Sequence, residues 1–441
     1  MNQSQSQKMS QKMIKQPNAR AVALEAIKRV IDGGGYSSLV VSAALKRSGF
    51  DARDRAFTAD LVYGTIRHMR SIDWAIARCA DRPLDRMSDG ARDVLRLGAY
   101  QLLFGGVPPH AAVGETVELA GPRERGFVNA VLRRLAADPP AWPGGDGEDD
   151  VAVRTGVAPW VIRELRHIVG GDAEAAAAAL ATRGNLTLRT NRCVTTIEAL
   201  EAVLREDGHE PTRSTLDPDC LILDGGDPSR MPGFTEGWFA VQDQASALVV
   251  RALDPQPGDR VLDVCAAPGG KASFAACLVG EEGLVVAGDL RAGRADLIRR
   301  GAQRLGGRVR VLVQDATRPA LRGNFDRVLV DAPCSGVGAA RRRPELLWRP
   351  RAEDLSGLAR IQVAIACAAA DFLKPGGRLI YSVCTFPRVE TDAAADAVLR
   401  HRPDLVPVPV PGPEGSAERF RLWPHLHGCD GMFIAGFTNG A

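Results

Sequence analysis

The sequence predicts an α/β protein in three parts, in which an all-helical domain and a small α+β domain precede a doubly wound parallel sheet. The chain has 441 residues, and a single hydrophobic core stops growing at roughly 250–300 residues, so more than one domain is expected. The first third carries apolar residues every three or four positions, which is typical of amphipathic helices. Beyond residue 240, Val/Leu/Ile-rich runs alternate with glycine turns and helical segments, which is typical of a parallel sheet covered on both faces.

The first part of the chain divides into a polar tail and a helical domain. Residues 1–18 are rich in Gln, Ser and Lys, and we predict a disordered tail there. Residues 19–138 contain seven amphipathic runs, beginning with AVALEAIKRVI and ending with RGFVNAVLRRLAA. Breakers such as Pro83 separate these runs, which favours an independent all-helical bundle over helices layered on a sheet.

A short polar segment separates the helical domain from the second part. Residues 139–150, PPAWPGGDGEDD, are dense in Pro, Gly and acid, and we predict a linker. Residues 151–240 mix helical segments with the short strand patterns NLTLRTN, CLILD and GWFAVQD, which predicts a small α+β domain. Residues 241–441 form the predicted doubly wound domain.

Charge and cysteine content restrict the class of protein. Hydrophobic residues at 45% and charged residues at 25% exclude a mostly disordered or fibrous chain. The net charge is +3, but residues 1–140 hold 21 Lys and Arg against 14 Asp and Glu. This basic third suits a polyanion such as nucleic acid, and it equally suits an ordinary solvated surface.

The nine cysteines form no close CxxC pair, and no histidine stands at metal-ligand spacing. We therefore expect neither a disulfide framework nor a metal site. Five of the cysteines are interpreted as small buried hydrophobes: Cys79, Cys193, Cys220, Cys277 and Cys367. The chain shows neither the apolar stretch of a signal peptide nor an apolar run of about 18 residues, so we expect a soluble cytoplasmic protein.

The ends of the predicted parallel strands carry the chemistry, because ligands bind outside the carboxyl ends of such strands. The first turn, VLDVCAAPGGKA, is glycine-rich but lacks the GxGxxG pattern that cradles a pyrophosphate. Asp289 closes the second strand and is placed to bind ribose hydroxyls, whereas Asp315 closes the third and is placed to meet an adenine edge. Either acid alone is more typical of a cap or turn, but acids at successive strand ends predict S-adenosylmethionine, a nucleoside cofactor without phosphates. Lys271 either binds the cofactor carboxylate or is a solvated lysine of the first helical turn.

Two cysteines follow the next two strands and predict the reaction. Cys334 stands in DAPCSG and Cys384 in YSVCT, so both thiols should face the cofactor. A thiolate that adds to C6 of a pyrimidine makes C5 nucleophilic enough to accept a methyl group. Asp331 can protonate or hydrogen-bond N3 of cytosine, and Arg341–Arg343 either hold phosphates or form a solvated surface.

These motifs resemble the Sun family of ribosomal-RNA cytosine-C5 methyltransferases, also called Fmu or RsmB. VQDQASALV, VLDVCAAPGGKA, DAPCSGVGAARRRPELLW, YSVCT and RLWPHLHGCDGMFIAGF stand in the order of that family, and DRAFTADLVYGTIRH is similar to the RNA-binding NusB domain. The resemblance implies that Cys384 is the nucleophile and that Cys334 assists H5 removal and release of the methylated base. It also implies a set of cofactor contacts, namely Cys265, Ala266, Ala267, Pro268, Gly269, Gly270, Lys271, Asp289, Asp315 and Asp331. Val383 and Ala272 depart from the family, which usually has Thr and Thr or Ser there.

The leading hypothesis is an S-adenosylmethionine-dependent RNA cytosine-C5 methyltransferase that acts on small-subunit (16S) ribosomal RNA. The alternative is an RNA-binding transcription or ribosome-assembly factor whose methyltransferase domain is vestigial. An NAD-dependent oxidoreductase would suit the sheet but lacks the glycine fingerprint. We expect a monomer whose partner is RNA, with neither DNA nor a membrane as partner.

Overall fold

The structure is a computed structural model that describes residues 18–440. The chain forms two compact units. The first contains the described residues through Gly156 together with Arg343–Glu345, and the second contains Val157–Arg342 and the described residues from Leu346 onward. Apart from Asn18, the predicted tail over residues 1–18 lies outside the described residues.

The first unit is helical, as predicted. Its helices are α1 (Ala19–Ile31), α2 (Ser37–Ser48), α3 (Ala52–Arg67), α4 (Met69–Cys79), α5 (Asp89–Leu103), α6 (Pro109–Val117), α7 (Arg125–Ala137) and α8 (Glu148–Thr155). Side chains such as Asp51 and Ser88 accept hydrogen bonds from backbone amides in the first turns of α3 and α5. The apolar stripes meet in a core that includes Ile27, Ile66 and Ile72, each with no exposed surface.

The chain divides at a different point from the predicted linker. The acidic run Glu148–Asp150, which the sequence analysis placed in the linker, is the first turn of α8. Carboxylates are favourable there because the helix dipole is positive at its N-terminus. The helical unit therefore extends through Gly156.

The second unit begins with the small α+β domain. Its elements are α9 (Pro159–Val169), α10 (Ala173–Leu180), β1 (Leu186–Thr190), α11 (Ile197–Glu206), β2 (Thr212–Arg213), β3 (Cys220–Leu223) and β4 (Phe239–Val241). The four strands pair in the order β2-β3-β1-β4, and every pairing is antiparallel. The α+β prediction is confirmed. Strand β2 escaped it because two residues are too few to show a period.

The large sheet follows. Its strands are β5 (Arg260–Asp263), β6 (Leu284–Asp289), β7 (Val309–Val313), β8 (Phe325–Asp331), β9 (Leu373–Val383), β10 (Leu405–Pro407), β13 (Arg419–Leu422) and β14 (Met432–Asn439), and a separate hairpin joins β11 (Val410–Gly412) to β12 (Gly415–Ala417). The helices are α12 (Gln244–Leu253), α13 (Gly270–Val279), α14 (Ala292–Arg304), α15 (Leu355–Ala370), α16 (Asp392–His401) and α17 (Pro424–His427).

The order of the large sheet is β10-β14-β9-β8-β5-β6-β7, and β13 also pairs with β14. Strands β5 to β9 are parallel, which confirms the doubly wound prediction. Strands β10, β13 and β14 extend the sheet in antiparallel pairings that the sequence analysis did not predict. Apolar clusters cover both faces of the sheet, one around Phe274 and one around Tyr381.

One prediction about cysteines is wrong. Cys193, in the turn after β1, forms a disulfide with Cys277 of α13, and their Cα atoms lie 5.8 Å apart. They are therefore not simple buried hydrophobes. No motif or spacing predicted this pair, because 84 positions separate the two residues. In the described part of the chain, no helix is long and apolar enough to cross a membrane.

Candidate active site

The candidate site lies at the carboxyl ends of the parallel strands. Strands β6 and β7 lie on one side of β5, and β8 and β9 lie on the other. The chain therefore reverses its direction of winding at β5, and a crevice opens at such a reversal. The predicted site residues lie at the carboxyl ends of these five strands, in the loops that follow them, or in the first turn of α13.

The loop after β5 is held between its neighbours by the backbone. The amide of Val264 donates to the carbonyl of Leu329, and the amide of Ala266 donates to that of Gly288 at 2.8 Å. Gly269 has φ +105°, and a Cβ there would lie 3.0 Å from Cα of Ile298. Only glycine suits this close approach.

The remaining predicted contacts of that loop lead directly into α13. Ala266 and Gly269 are buried, Cys265, Ala267 and Gly270 are half-buried, and Pro268 is exposed. Burial raises the pKa of the Cys265 thiol, so this cysteine stays neutral. The loop thus contributes small, uncharged residues to this end of the sheet.

The acids at the ends of β6 and β7 differ in surroundings. Asp289 is nearly buried and accepts hydrogen bonds from the amide of Arg291 and from Nε of Arg294, each at 3.0 Å. Asp315 is exposed, and the amide and hydroxyl of Thr317 lower its pKa. Asp315 therefore forms the turn that the more usual interpretation of such an acid predicts, and its Oδ1 accepts both hydrogen bonds from Thr317.

Asp331 and Lys271 form a half-buried ion pair. Nζ of Lys271 lies 2.7 Å from Oδ2 of Asp331, and the hydroxyl of Ser382 donates to Oδ1 at 2.9 Å. The side chain of Lys271 is only 12% exposed, so this residue is not a solvated lysine. Burial lowers the pKa of Lys271. The negative charges of Asp331, Cys384 and Asp263 outweigh this effect and raise that pKa overall.

The two predicted thiols lie together. Cys384 directly follows β9, Cys334 lies three positions after β8, and their Sγ atoms are 3.5 Å apart. The amide of Gly338 donates to the carbonyl of Cys384 at 3.0 Å. A Cβ at Gly338 would lie 2.2 Å from the carbonyl oxygen of Gly431, so this contact requires glycine.

A further carboxylate at the site was missed. Asp263 ends β5, is 1% exposed, and has no hydrogen-bond partner for either oxygen among the described residues. Burial and the neighbouring Asp331 raise its pKa to about 8, although Lys271 opposes the shift. Its position at a strand end was the available signal, since the same argument selected Asp289. Gln314, buried beside Gly288, also has an unpaired amide group in the described structure.

Neither interpretation of Arg341–Arg343 is correct for the first two arginines. Arg341 is 9% exposed and donates to the carbonyl of Gly428 at 2.7 Å. Arg342 pairs with Asp243 at 2.5 Å and with Asp430 at 3.1 Å. These two guanidiniums stabilise the fold, because a buried arginine needs carbonyl or carboxylate oxygens as acceptors.

The third arginine belongs to the helical unit. Its guanidinium stacks on the ring of Tyr36 at 4.3 Å. In the same unit, the hydroxyl of Ser37 donates to the buried carboxylate of Glu345 at 2.6 Å. The two positions that depart from the family motif, Val383 and Ala272, are buried in apolar surroundings.

Residues 18–440 contain no group of three or more His, Cys, Asp or Glu side chains that could hold a metal ion. The two histidines near the end of the chain lie beside Trp423. Nδ1 of His427 accepts a hydrogen bond from the amide of Trp423, and the ring of His425 packs edge-on against the indole.

Three family models match the chain, one for each predicted domain. Residues 250–438 match the 16S rRNA methyltransferase RsmB/F model. Residues 17–137 match the NusB family, and residues 158–229 match the RsmF/B-like ferredoxin-like domain.

Known proteins resemble the chain over nearly its whole length. A Mycobacterium tuberculosis protein described as a methyltransferase is 37% identical over 95% of this chain and 95% of that protein. The ribosomal RNA small subunit methyltransferase B of Vibrio cholerae is 34% identical over 95% and 96%. The crystal structure of PH0851 has a TM-score of 0.83 and 26% identity, and the match covers 96% of this chain and 99% of that one. The chain therefore belongs to the RsmB/F family of ribosomal RNA methyltransferases, which use S-adenosylmethionine as methyl donor.

Proposed function

We propose that this enzyme methylates C5 of a cytosine in small-subunit ribosomal RNA, with Cys384 as nucleophile. The observation that carries the proposal is the pair of thiols 3.5 Å apart, next to the Lys271–Asp331 ion pair. An oxygen or nitrogen acceptor would need no thiol. A pyrimidine C5 needs one, because the ring carbon becomes nucleophilic only after a thiolate has added to C6.

The charges around Cys384 suit this task. The ammonium of Lys271 interacts favourably with a thiolate at Cys384, and Asp331 holds that ammonium in place. When the thiolate bonds to C6, the electrons of the C5–C6 double bond move toward N3. We assign Asp331 to relay a proton from the Lys271 ammonium to N3, and this proton returns by the same route when Cys384 leaves C6.

Cys334 is assigned to the second half of the reaction. After C5 has gained the methyl group, its hydrogen must leave as a proton so that the C5–C6 double bond re-forms and Cys384 departs as a thiolate. Cys334 is the nearby group that can take this proton once it is itself deprotonated. The 3.5 Å between its Sγ atom and that of Cys384 supports a role at the same edge of the ring.

The residues at the crevice fit the cofactor. When bound, S-adenosylmethionine supplies an electrophilic methyl group on a sulfonium. Asp289 would hold the ribose hydroxyls, Asp315 and the unpaired amide of Gln314 would meet the adenine, and the Cys265–Gly270 loop would line the site. The orphaned carboxylate of Asp263 provides the negative charge that a cationic ligand requires.

The proposed RNA class comes from the relatives and from the helical unit. The Vibrio cholerae relative is named as a methyltransferase of small-subunit ribosomal RNA. The first 140 residues, which include the NusB match, carry the excess of basic residues. A basic surface supplies the salt-dependent part of RNA binding.

The test is tritium release from RNA labelled at cytosine C5, with S-adenosylmethionine present. Release from small-subunit rRNA, but from neither other RNA nor DNA, is expected, because only replacement of H5 frees this label. Methylation of rRNA without release would move the acceptor atom away from C5. Tight RNA binding with neither methylation nor release would favour the vestigial-domain alternative.

The protonation state of Asp263 is expected to depend on the cofactor. The pKa of Asp263 is raised to about 8, so its carboxyl is mostly protonated at neutral pH without ligand. A bound cation favours the carboxylate, so binding of S-adenosylmethionine near pH 7 is expected to release a proton. Calorimetry in two buffers of different protonation enthalpy measures how many protons are released per cofactor bound. Asp263→Asn should release none, and equal release from both proteins would contradict the assignment.

The carboxyl group of Asp263 also makes the free energy of unfolding depend on pH. Because its folded-state pKa is raised, the free enzyme binds the proton more tightly than the unfolded chain does. The contribution of Asp263 to the free energy of unfolding is therefore fully present below the unfolded-state pKa of about 4. It is lost as the pH rises through the folded-state pKa of about 8. In thermal melts of the free enzyme, Asp263→Asn should remove this part of the pH dependence.

A further inference from the structure

Glu390 is a buried carboxylate that neither the motifs nor the mechanism above uses. It lies in the 3-10 turn Arg388–Glu390 between the Cys384 loop and α16, and it has no exposed surface. Oε1 accepts hydrogen bonds from the amide of Ser335 and from Nε2 of Gln362, both at 2.9 Å. Oε2 accepts from the hydroxyl of Ser335 at 2.5 Å.

These donors are neutral, and no ion pair of Glu390 occurs in the described part of the chain. Burial raises the pKa of Glu390, whereas the bonds from Ser335 and Gln362 favour its charged form. A buried carboxylate without a cationic partner is destabilising unless its hydrogen bonds are complete. Such groups persist mainly where they serve a site.

The network reaches both thiols. Ser335 directly follows Cys334, and Thr385 directly follows Cys384. Their hydroxyl oxygens lie 2.7 Å apart. Because Ser335 gives its hydrogen to Glu390, Thr385 must donate to Ser335. A chain of hydrogen bonds therefore runs from the Cys384 turn through Ser335 to the carboxylate.

Further hydrogen bonds stabilise the turn that contains Cys334. Nε2 of Gln362 also donates to the carbonyl of Pro333 at 3.0 Å, and the hydroxyl of Tyr381 donates to the carbonyl of Glu390 at 2.6 Å. The Pro333–Ser335 turn is thus held on both sides of Cys334. Hydrogen bonds to a charged acceptor are stronger than neutral ones, so the carboxylate is the anchor of this arrangement.

The charges around the two sulfurs differ. The contact with Cys384, burial, and the charges of Glu390 and Asp331 raise the pKa of the Cys334 thiol well above its ordinary value. The positive charge of Lys271 is beside Cys384 instead. The ionisable groups that face the pair are Glu390, Asp331, Lys271 and Tyr381.

We propose that Glu390 is a positioning residue that holds the Cys334 and Cys384 turns together and keeps the one proton of the thiol pair on Cys334, so that Cys384 is the thiolate. The proton lost from Cys384 passes to solvent before RNA binds. Once Cys384 has formed its bond to C6, its negative charge is gone, so Cys334 can release its own proton to solvent and the resulting thiolate then accepts H5. This inference rests on the proposed function only for that last step.

The experiment measures alkylation of each thiol by iodoacetamide in the full-length protein, without RNA or cofactor, across about pH 6 to 9. Peptide mass spectrometry gives the rate at Cys334 and at Cys384. In the unchanged protein, Cys384 is expected to react first. In Glu390→Gln, which keeps the side-chain shape but removes the charge, selectivity for Cys384 should fall about tenfold and Cys334 should react at lower pH. The exposed Glu414→Gln is the matched control.

Ser335→Ala provides a second variant in case Glu390→Gln does not fold. It keeps the carboxylate but breaks the link to Thr385, so selectivity should fall in the same direction by roughly threefold. A folded variant with the same selectivity and pH profile as the unchanged protein overturns the proposal. Because no RNA is present, an enzyme that releases no tritium would refute the proposed function and leave this measurement to decide the role of Glu390.

Discussion

Replacing Cys384 by alanine is expected to abolish methyl transfer, with a loss on the order of 10⁴-fold or more in kcat. Without the thiolate no covalent bond to C6 forms, and C5 of the intact cytosine ring is too weak a nucleophile to accept a methyl group. Transfer of labelled methyl groups from S-adenosylmethionine to small-subunit rRNA measures the effect. Cofactor binding should persist, because Cys384 lies in the turn after β9 whereas the predicted cofactor loop follows β5.

Cys367→Ala is the matched control for that variant. Cys367 is a half-buried cysteine of α15 that packs against the apolar cluster around Tyr381. Its removal should leave the rate within a few-fold of normal and lower the melting temperature slightly. Undiminished turnover in Cys384→Ala would refute the assigned nucleophile.

Replacing Cys334 by alanine is expected to trap the enzyme on its RNA. Cys384 still adds to C6 and the methyl group still moves, but the group that takes H5 is gone, so elimination becomes slow. A covalent protein–RNA species should accumulate in proportion to the enzyme and survive denaturing electrophoresis. The unchanged enzyme should show almost none.

The double variant Cys334→Ala with Cys384→Ala separates adduct formation from tight binding. It lacks the attacking thiol, so it should form no band that resists denaturation. If Cys334→Ala turned over repeatedly without an adduct, another group would have to remove H5. The neighbouring hydroxyl of Ser382 and the Lys271–Asp331 pair would then be the groups to replace next.

Much of the site followed from one regularity of parallel sheets. The carboxyl ends of such strands meet at one edge, so residues far apart in sequence but each at a strand end must lie near one another. Asp289, Asp331, Cys334 and Cys384 were predicted in this way, and the structure places the two thiols in contact. Asp263 satisfies the same criterion and was missed.

Other contacts could not be predicted from any motif or periodicity in the sequence. Glu390 stands 55 positions from Ser335, in a short turn without period or motif. Arg342 looked available for phosphate, but it pairs with Asp243 and Asp430, which lie 99 and 88 positions away. Such pairs depend on which loops pack together after the sheet has formed.

Periodicity and strand-end position are local properties of a chain, so the three-part organisation, the parallel strands and the chemistry at their ends could be predicted from the amino acids alone. The extension of the sheet by β10, β13 and β14, the bond between Cys193 and Cys277, and the pairing of Lys271 with Asp331 became visible only in the folded protein. Burial and charge pairing arise from neighbours in space, which local patterns do not specify. A carboxyl such as Asp263 takes its elevated pKa from an environment that exists only after folding.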